Sequence, residues 1–209
     1  MDSNTAYNII RKDGNFEIVV TKSKFIGFLG SASSVEQAEE IVTRIRKKYN
    51  DARHNCYAYI ILDGDSLIKR SSDDGEPSGT AGKPMLAVME GAGLVNAVCV
   101  VTRYFGGVLL GTGGLVRAYT DAAAKALDDC DISSIKRGRY IKLTADYPDE
   151  STLRRLFENE GFEITDSSYS DRVLLTVLGP EEKAEDLVKR VIDMTGGKAA
   201  CELLESVYY

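Results

Sequence analysis

After Asp131 the apolar pattern of this chain restarts and runs strand, helix, strand, strand, helix, strand. Arg139–Ala145 reads as a strand, and Pro148 opens a helical stretch to about Asn159 that Gly161 closes. Phe162–Tyr169 and Arg172–Leu178 are strands joined by a short turn. Pro180 starts a second helix to about Met194, Gly196-Gly197 supplies a C-cap signal, and Glu202–Tyr208 is a last strand. This β-α-β-β-α-β order is that of a ferredoxin-like split βαβ domain. It restricts the fold strongly, because two amphipathic helices must share one face of a four-stranded sheet. The domain is expected over 138–209. The polar, basic stretch Ile132–Gly138 is the expected boundary, and a separate domain is expected over 1–131.

In that first part Phe16–Val20 and Lys24–Ser31 are predicted strands. Ser34 caps a helix, with Gln37 completing a capping-box pattern and Val35, Ala38, Ile41, Val42 and Ile45 at helical spacing. The run Arg44–Lys48 suits the helix C-terminus; a basic docking surface is the alternative. Tyr57–Leu62 and Ser66–Arg70 form a hairpin around Asp63-Gly64-Asp65. The polar stretch Ser71–Lys83 has no apolar periodicity, and a loop of that length is functional or disordered. Pro84 opens a short helix, Asn96–Arg103 is a buried strand, and Leu115–Leu127 is a helix behind a glycine-dense loop. The fold class is α+β.

No run approaches the roughly 20 apolar residues of a membrane span, and Met1–Thr5 lacks the basic and apolar regions of a leader, so a cytoplasmic location is expected. Four cysteines include no Cys-x-x-Cys pair and His54 is the only histidine, which argues against a zinc site or a disulfide framework. The net charge is −6. Residues 1–131 hold 15 basic and 17 acidic side chains, and residues 132–209 hold 11 and 15, so neither half is a basic nucleic-acid binder. Contact with nucleic acid must come from a local patch.

The segment Arg103–Tyr119 carries the most chemical information. A strand enters a loop containing Gly106, Gly107, Gly111, Gly113 and Gly114, and a helix leaves it. Glycines allow close backbone approach, and the first N–H groups of a helix have no internal partner, so the junction is a candidate anion site. Arg117 lies near the helix start, where the dipole disfavours a cation. A bound anion, an i,i+4 pair with Asp121, or simple bracing of the loop would each account for it. Arg103 could converge on the same spot or snorkel at a sheet edge. Neither a P-loop nor a dinucleotide fingerprint is present, so nucleotide hydrolysis is not supported.

His54 shares a strand face with Cys56, Ala58, Ile60 and Leu62, as a core-edge residue or a catalytic base. Asp73, Asp74 and Glu76 form a solvated acidic loop or gather a hard cation. Tyr57, Tyr59, Tyr104 and Tyr119 pack in the core or stack bases.

Four segments resemble the YigZ/IMPACT family in order. They are Lys22–Gly27, Ala52–Tyr59, Ser72–Gly82, and Thr102–Gly107 continued through Gly113–Tyr119, and together they span about residues 15–130. The remainder looks like the C-terminal domain of bacterial members. The resemblance implies a ribosomal-protein-domain-like fold of the left-handed βαβ superfamily for the first domain. It implies a ferredoxin-like second domain, as in elongation factor G. Both imply translation or RNA by analogy of fold. The expected function is therefore a translation-related regulatory or binding protein that recognises RNA, a ribosome-associated partner or another phosphate-bearing ligand. The expected site is Arg53, His54, Asp74, Glu76, Arg103, Gly106, Gly107, Gly113, Gly114 and Arg117, with no metal, cofactor or catalytic residue assigned. The alternative is a hydrolase or phosphotransferase acting on a small phosphoester or peptide through His54 and Asp73, Asp74 or Glu76. A third reading is a protein-binding module using the outer face of the second domain.

Overall fold

The computed structural model describes residues 6–209; Met1–Thr5, weighed above for a leader, lie outside the described residues. The chain divides into two compact units, one over Tyr7–Ser134 and one over Ile135–Tyr209. The first unit holds, in order, β1 (Tyr7–Lys12), β2 (Gly14–Val20), β3 (Ser23–Ser31), α1 (Val35–Lys48), β4 (His54–Asp63) and β5 (Ser66–Ser72). It continues with α2 (Gly82–Gly91), β6 (Ala97–Tyr104), α3 (Gly111–Asp128) and β7 (Asp131–Ile135). The second unit holds β8 (Arg137–Ala145), a 3₁₀ turn at Tyr147–Asp149, α4 (Glu150–Glu160), β9 (Glu163–Tyr169), β10 (Val173–Pro180), α5 (Glu181–Met194) and β11 (Ala200–Tyr208).

In the first unit five antiparallel strands form a sheet in the order β2-β3-β6-β4-β5. The middle strand β6 is buried along its length except at Tyr104, which is why it reads as a continuous apolar run. One sheet face carries Tyr59, Ile61, Val98 and Val100 against Ala38, Ile41, Val42 and Ile45 of α1. The opposite face meets α2 and α3. Ser34 caps α1 as expected, its hydroxyl accepting from the Gln37 N–H at 3.2 Å. The reciprocal half of the box is displaced by one residue: Gln37 Oε1 accepts from the N–H of Ser33, not of Ser34. Close helix-to-sheet approach relies on Gly27, where a Cβ would lie 2.6 Å from the Ala122 carbonyl oxygen.

Three expectations need correction. β1 and β7 pair with each other, so part of the stretch read as a polar boundary is a strand. Both are short and carry polar residues, and their partner lies about 120 residues away, so local pattern does not reveal them. α3 begins at Gly111, four residues before the expected start, because glycines of poor helix propensity are recruited by tertiary packing. The polar stretch shrinks to 73–81, with β5 and α2 extending into both ends.

In the second unit the strand order is β11-β8-β10-β9, all antiparallel. Ile141, Leu143, Leu175 and Val177 of the sheet pack against Leu153 and Phe157 of α4 and Leu187 and Val191 of α5. Gly161 closes α4 in the left-handed conformation at φ 79°. The protein is thus an α+β chain with a β-rich N-terminal unit and a helix-and-strand C-terminal unit. No helix among the described residues is long and apolar enough to cross a membrane.

Candidate functional site

Strand register assembles the floor of a pocket. His54 on β4 pairs with Arg103 on β6, and Arg103 pairs with Phe25 on β3, so three side chains form a row on the sheet face that carries α2 and α3. The loop after β5 adds Glu76, and the loop before α3 adds Phe105, Leu109 and Leu110. Arg53 stands at one side; Gly111, Thr112 and Leu115 of the first turns of α3 stand at another. The cavity measures about 320 Å³, within the range of small-molecule sites.

Arg103 is 5% exposed and sits on a central strand, not at a sheet edge. Its Nη1 donates to Glu76 Oε1 at 2.6 Å, and its Nη2 lies 3.4 Å from Ser23 Oγ. Phe25 and Phe105 flank the guanidinium, with ring centres 5.4 and 5.5 Å away. Its Nε is buried with no hydrogen-bond partner among the described residues. Glu76 Oε1 also accepts from the Tyr119 hydroxyl at 2.9 Å. Burial, with Cys56 and Glu76 beside it, raises the Tyr119 pKa and keeps this phenol a donor. Cys56 donates to the Asp73 carbonyl at 3.0 Å, and burial pushes its thiol up to about 12. A thiol held neutral in this way is structural, not nucleophilic.

His54 Nδ1 lies 2.8 Å from the Asp74 carbonyl oxygen. A carbonyl only accepts, so Nδ1 carries the proton and Nε2 is turned towards Glu76 Oε1, 3.9 Å away. Asp74 acts from behind: its carboxylate accepts from the Asn55 N–H at 2.7 Å and from Arg46 at 2.8 Å.

The acidic loop is therefore not a solvated one. Asp73 accepts from the main-chain N–H groups of Gly79, Ala81 and Gly82 at 2.8–2.9 Å, which ties the loop to the start of α2. Burial works to raise its pKa, but those three donors and Lys83 outweigh it and hold the carboxyl below its ordinary range. All three acids have partners inside the protein, and no group of three metal-ligating side chains forms among the described residues. Asp73→Ala is expected to cost about 2 kcal/mol by stranding those donors. The sign with pH follows from the lowered native pKa. The contribution of Asp73 is complete above its unfolded pKa and fades as pH falls through the native one. Acid titrations of unfolding free energy should therefore show a shallower fall for Asp73→Asn than for the parent.

Of the residues expected at the site, Arg53, His54, Glu76 and Arg103 line this pocket. Gly106 packs beneath it, its N–H donating to Ser23 Oγ at 3.2 Å. Gly107 follows with φ 83°, and Gly113 lies in the first turn of α3 facing open space. Gly114 and Arg117 open onto a different cleft, with Val20, Thr21 and Asp121. The expected convergence of Arg103 and Arg117 on one anion does not occur. Leu115 faces the pocket, and two residues further on a helix turns about 200°. Arg117 nonetheless has no ion pair with Asp121 among the described residues. Tyr59 is fully buried beside Tyr57 on the α1 face, so sheet packing explains that pair. Sequence reasoning missed Ser23, Phe25 and the apolar wall, and read Tyr119 as a core or base-stacking ring without its hydrogen bond to Glu76.

Comparison with known proteins bears on this unit directly. The Impact N-terminal domain matches residues 21–127. The IMPACT family member YvyE of Bacillus subtilis is 35% identical over 203 residues, covering 97% of this chain and 93% of its own. The chain belongs to the IMPACT family. Another IMPACT family member, from Haemophilus influenzae, is 39% identical over 91% of this chain and 93% of its own. A solved structure described as that of a hypothetical protein is 34% identical, covers 96% of this chain and 98% of its own, and superposes with a TM-score of 0.62. The IMPACT match takes in every pocket residue named above. Residues 143–198 match a domain of unknown function.

Proposed function

We propose that this IMPACT family protein is a binding protein whose pocket receives a phosphate-bearing segment of RNA in a translation-related setting. The supporting observation is Arg53. It is exposed, its guanidinium lies 5.6 Å from the Phe105 ring centre, and no carboxylate pairs with it among the described residues. It stands beside the first turn of α3, whose N-cap Leu110 gives no side-chain hydrogen bond, so the early N–H groups remain available to an anion. The antiparallel order β11-β8-β10-β9 supports the ferredoxin-like reading of the second unit, and the family resemblance supports the ribosomal-protein-like reading of the first.

Arg53→Ala is expected to weaken RNA and ribosome binding in filter-binding titrations and to reduce the salt slope by about one. Arg117→Ala should leave this pocket's affinity unchanged. Absence of binding at low salt, or equal loss in both variants, would refute the proposal.

A hydrolase or phosphotransferase is the second reading, favoured by the His54 imidazole, which the Asp74 carbonyl orients as a general base would be. Turnover of a phosphoester or peptide panel, lost in His54→Gln, would establish it in place of the first.

A further inference from the structure

The pocket is polarised from floor to rim. Its deepest cation, Arg103, is neutralised by Glu76 at 2.6 Å, so the floor has no spare positive charge for a phosphate. Beside the Arg103 Nε, a buried donor with no partner among the described residues, the floor offers acceptors. The Glu76 carboxylate, whose Oε1 already accepts from Arg103 and Tyr119, has no proton to give when ionised, and a neutral His54, with Nδ1–H committed to the Asp74 carbonyl, presents an Nε2 lone pair. The wall is apolar, and Phe105 is 38% exposed beneath the Arg53 guanidinium. Only the rim, at Arg53 and the first turn of α3, suits a phosphate.

A nucleotide matches that polarity, with its phosphate on the rim, its base along Phe105 and its edge on the acceptor floor. Among the bases, guanine presents adjacent donors, N1–H and the N2 amino group, to a pair of acceptors. Adenine offers one amino group beside an acceptor nitrogen. We propose that the pocket selects an unpaired guanine nucleotide, a specificity that rests on the RNA-binding reading above. An arginine side chain also carries paired donors, but it brings a second cation beside Arg53.

The test uses the intact chain and titrates GMP, IMP, AMP, inorganic phosphate and arginine methyl ester by calorimetry, with single-stranded RNA as the parallel arm. GMP is expected to bind about tenfold or more tightly than AMP, because a good pair of base-edge hydrogen bonds discriminates on that scale. IMP, which keeps N1–H and lacks the amino group, should fall between them. Phe105→Ala, at a partly exposed position, should weaken GMP about tenfold through lost stacking and weaken inorganic phosphate by less, since Arg53 loses only the ring beneath it. RNA binding without preference among GMP, IMP and AMP would overturn the guanine assignment and leave the RNA reading standing. Competition by arginine methyl ester equal to that by GMP would overturn it in favour of a peptide ligand. Failure of RNA and every nucleotide to bind would overturn both.

Discussion

Glu76→Ala is expected to lower the unfolding free energy by about 3–5 kcal/mol, the range found when one partner of a buried ion pair is removed. Arg103 is 5% exposed and Glu76 9%, and Glu76 Oε1 serves both Arg103 Nη1 and the Tyr119 hydroxyl. Without the carboxylate, a guanidinium remains in a site walled by Phe25 and Phe105, and a buried phenol loses its acceptor. Arg103 Nε already lacks a partner among the described residues, so the group has little left to fall back on. Combining Glu76→Leu with Arg103→Met removes both charges and should restore most of the loss, since apolar replacement of a whole buried pair is often neutral. Urea unfolding of the parent, both single variants and the double variant gives the coupling directly. A cost below about 1 kcal/mol for Glu76→Ala would show that water reaches the guanidinium.

Gly106→Ala is expected to cost about 3 kcal/mol, at the upper end for overpacking, and to disable the pocket as well. An added Cβ would stand 2.1 Å from the carbonyl carbon and oxygen of Lys22 and 2.5 Å from the Ser23 nitrogen. These are backbone atoms on a hairpin end, so no side-chain rotation relieves the clash. The loop must lift, which breaks the Gly106 N–H bond to Ser23 Oγ and moves Phe105 and Leu109 with it. Gly107→Ala is the contrast. That position has open space but φ 83°, so its cost is conformational strain of about 1 kcal/mol. Thermal unfolding separates the two, and RNA titration should show the larger loss for Gly106→Ala.

Helix and strand periods are local, and most elements were legible for that reason. The central strand Ala97–Tyr104 betrays itself by a continuous apolar run, and α1 by its stripe from Ala38 to Ile45. β1 and β7 were not legible, because a short strand with polar side chains has meaning only beside its partner. The start of α3 was misplaced for a related reason. Gly111–Gly114 have poor intrinsic propensity, and helix there is imposed by what the rest of α3 packs against.

For the site, sequence alone determined which residue types cluster near the glycine loop, and strand alternation put His54 and Cys56 on one face. Tertiary structure decided who meets whom. Glu76 and Arg103 lie 27 positions apart and Tyr119 another 16 beyond, yet they share one carboxylate oxygen through strand register and the seating of α3. The same geometry sends Arg117 to another cleft, because a helix rotates its side chains by about 100° per residue. Pairing between distant charges depends on the path of the backbone between them, and a linear sequence does not record that path.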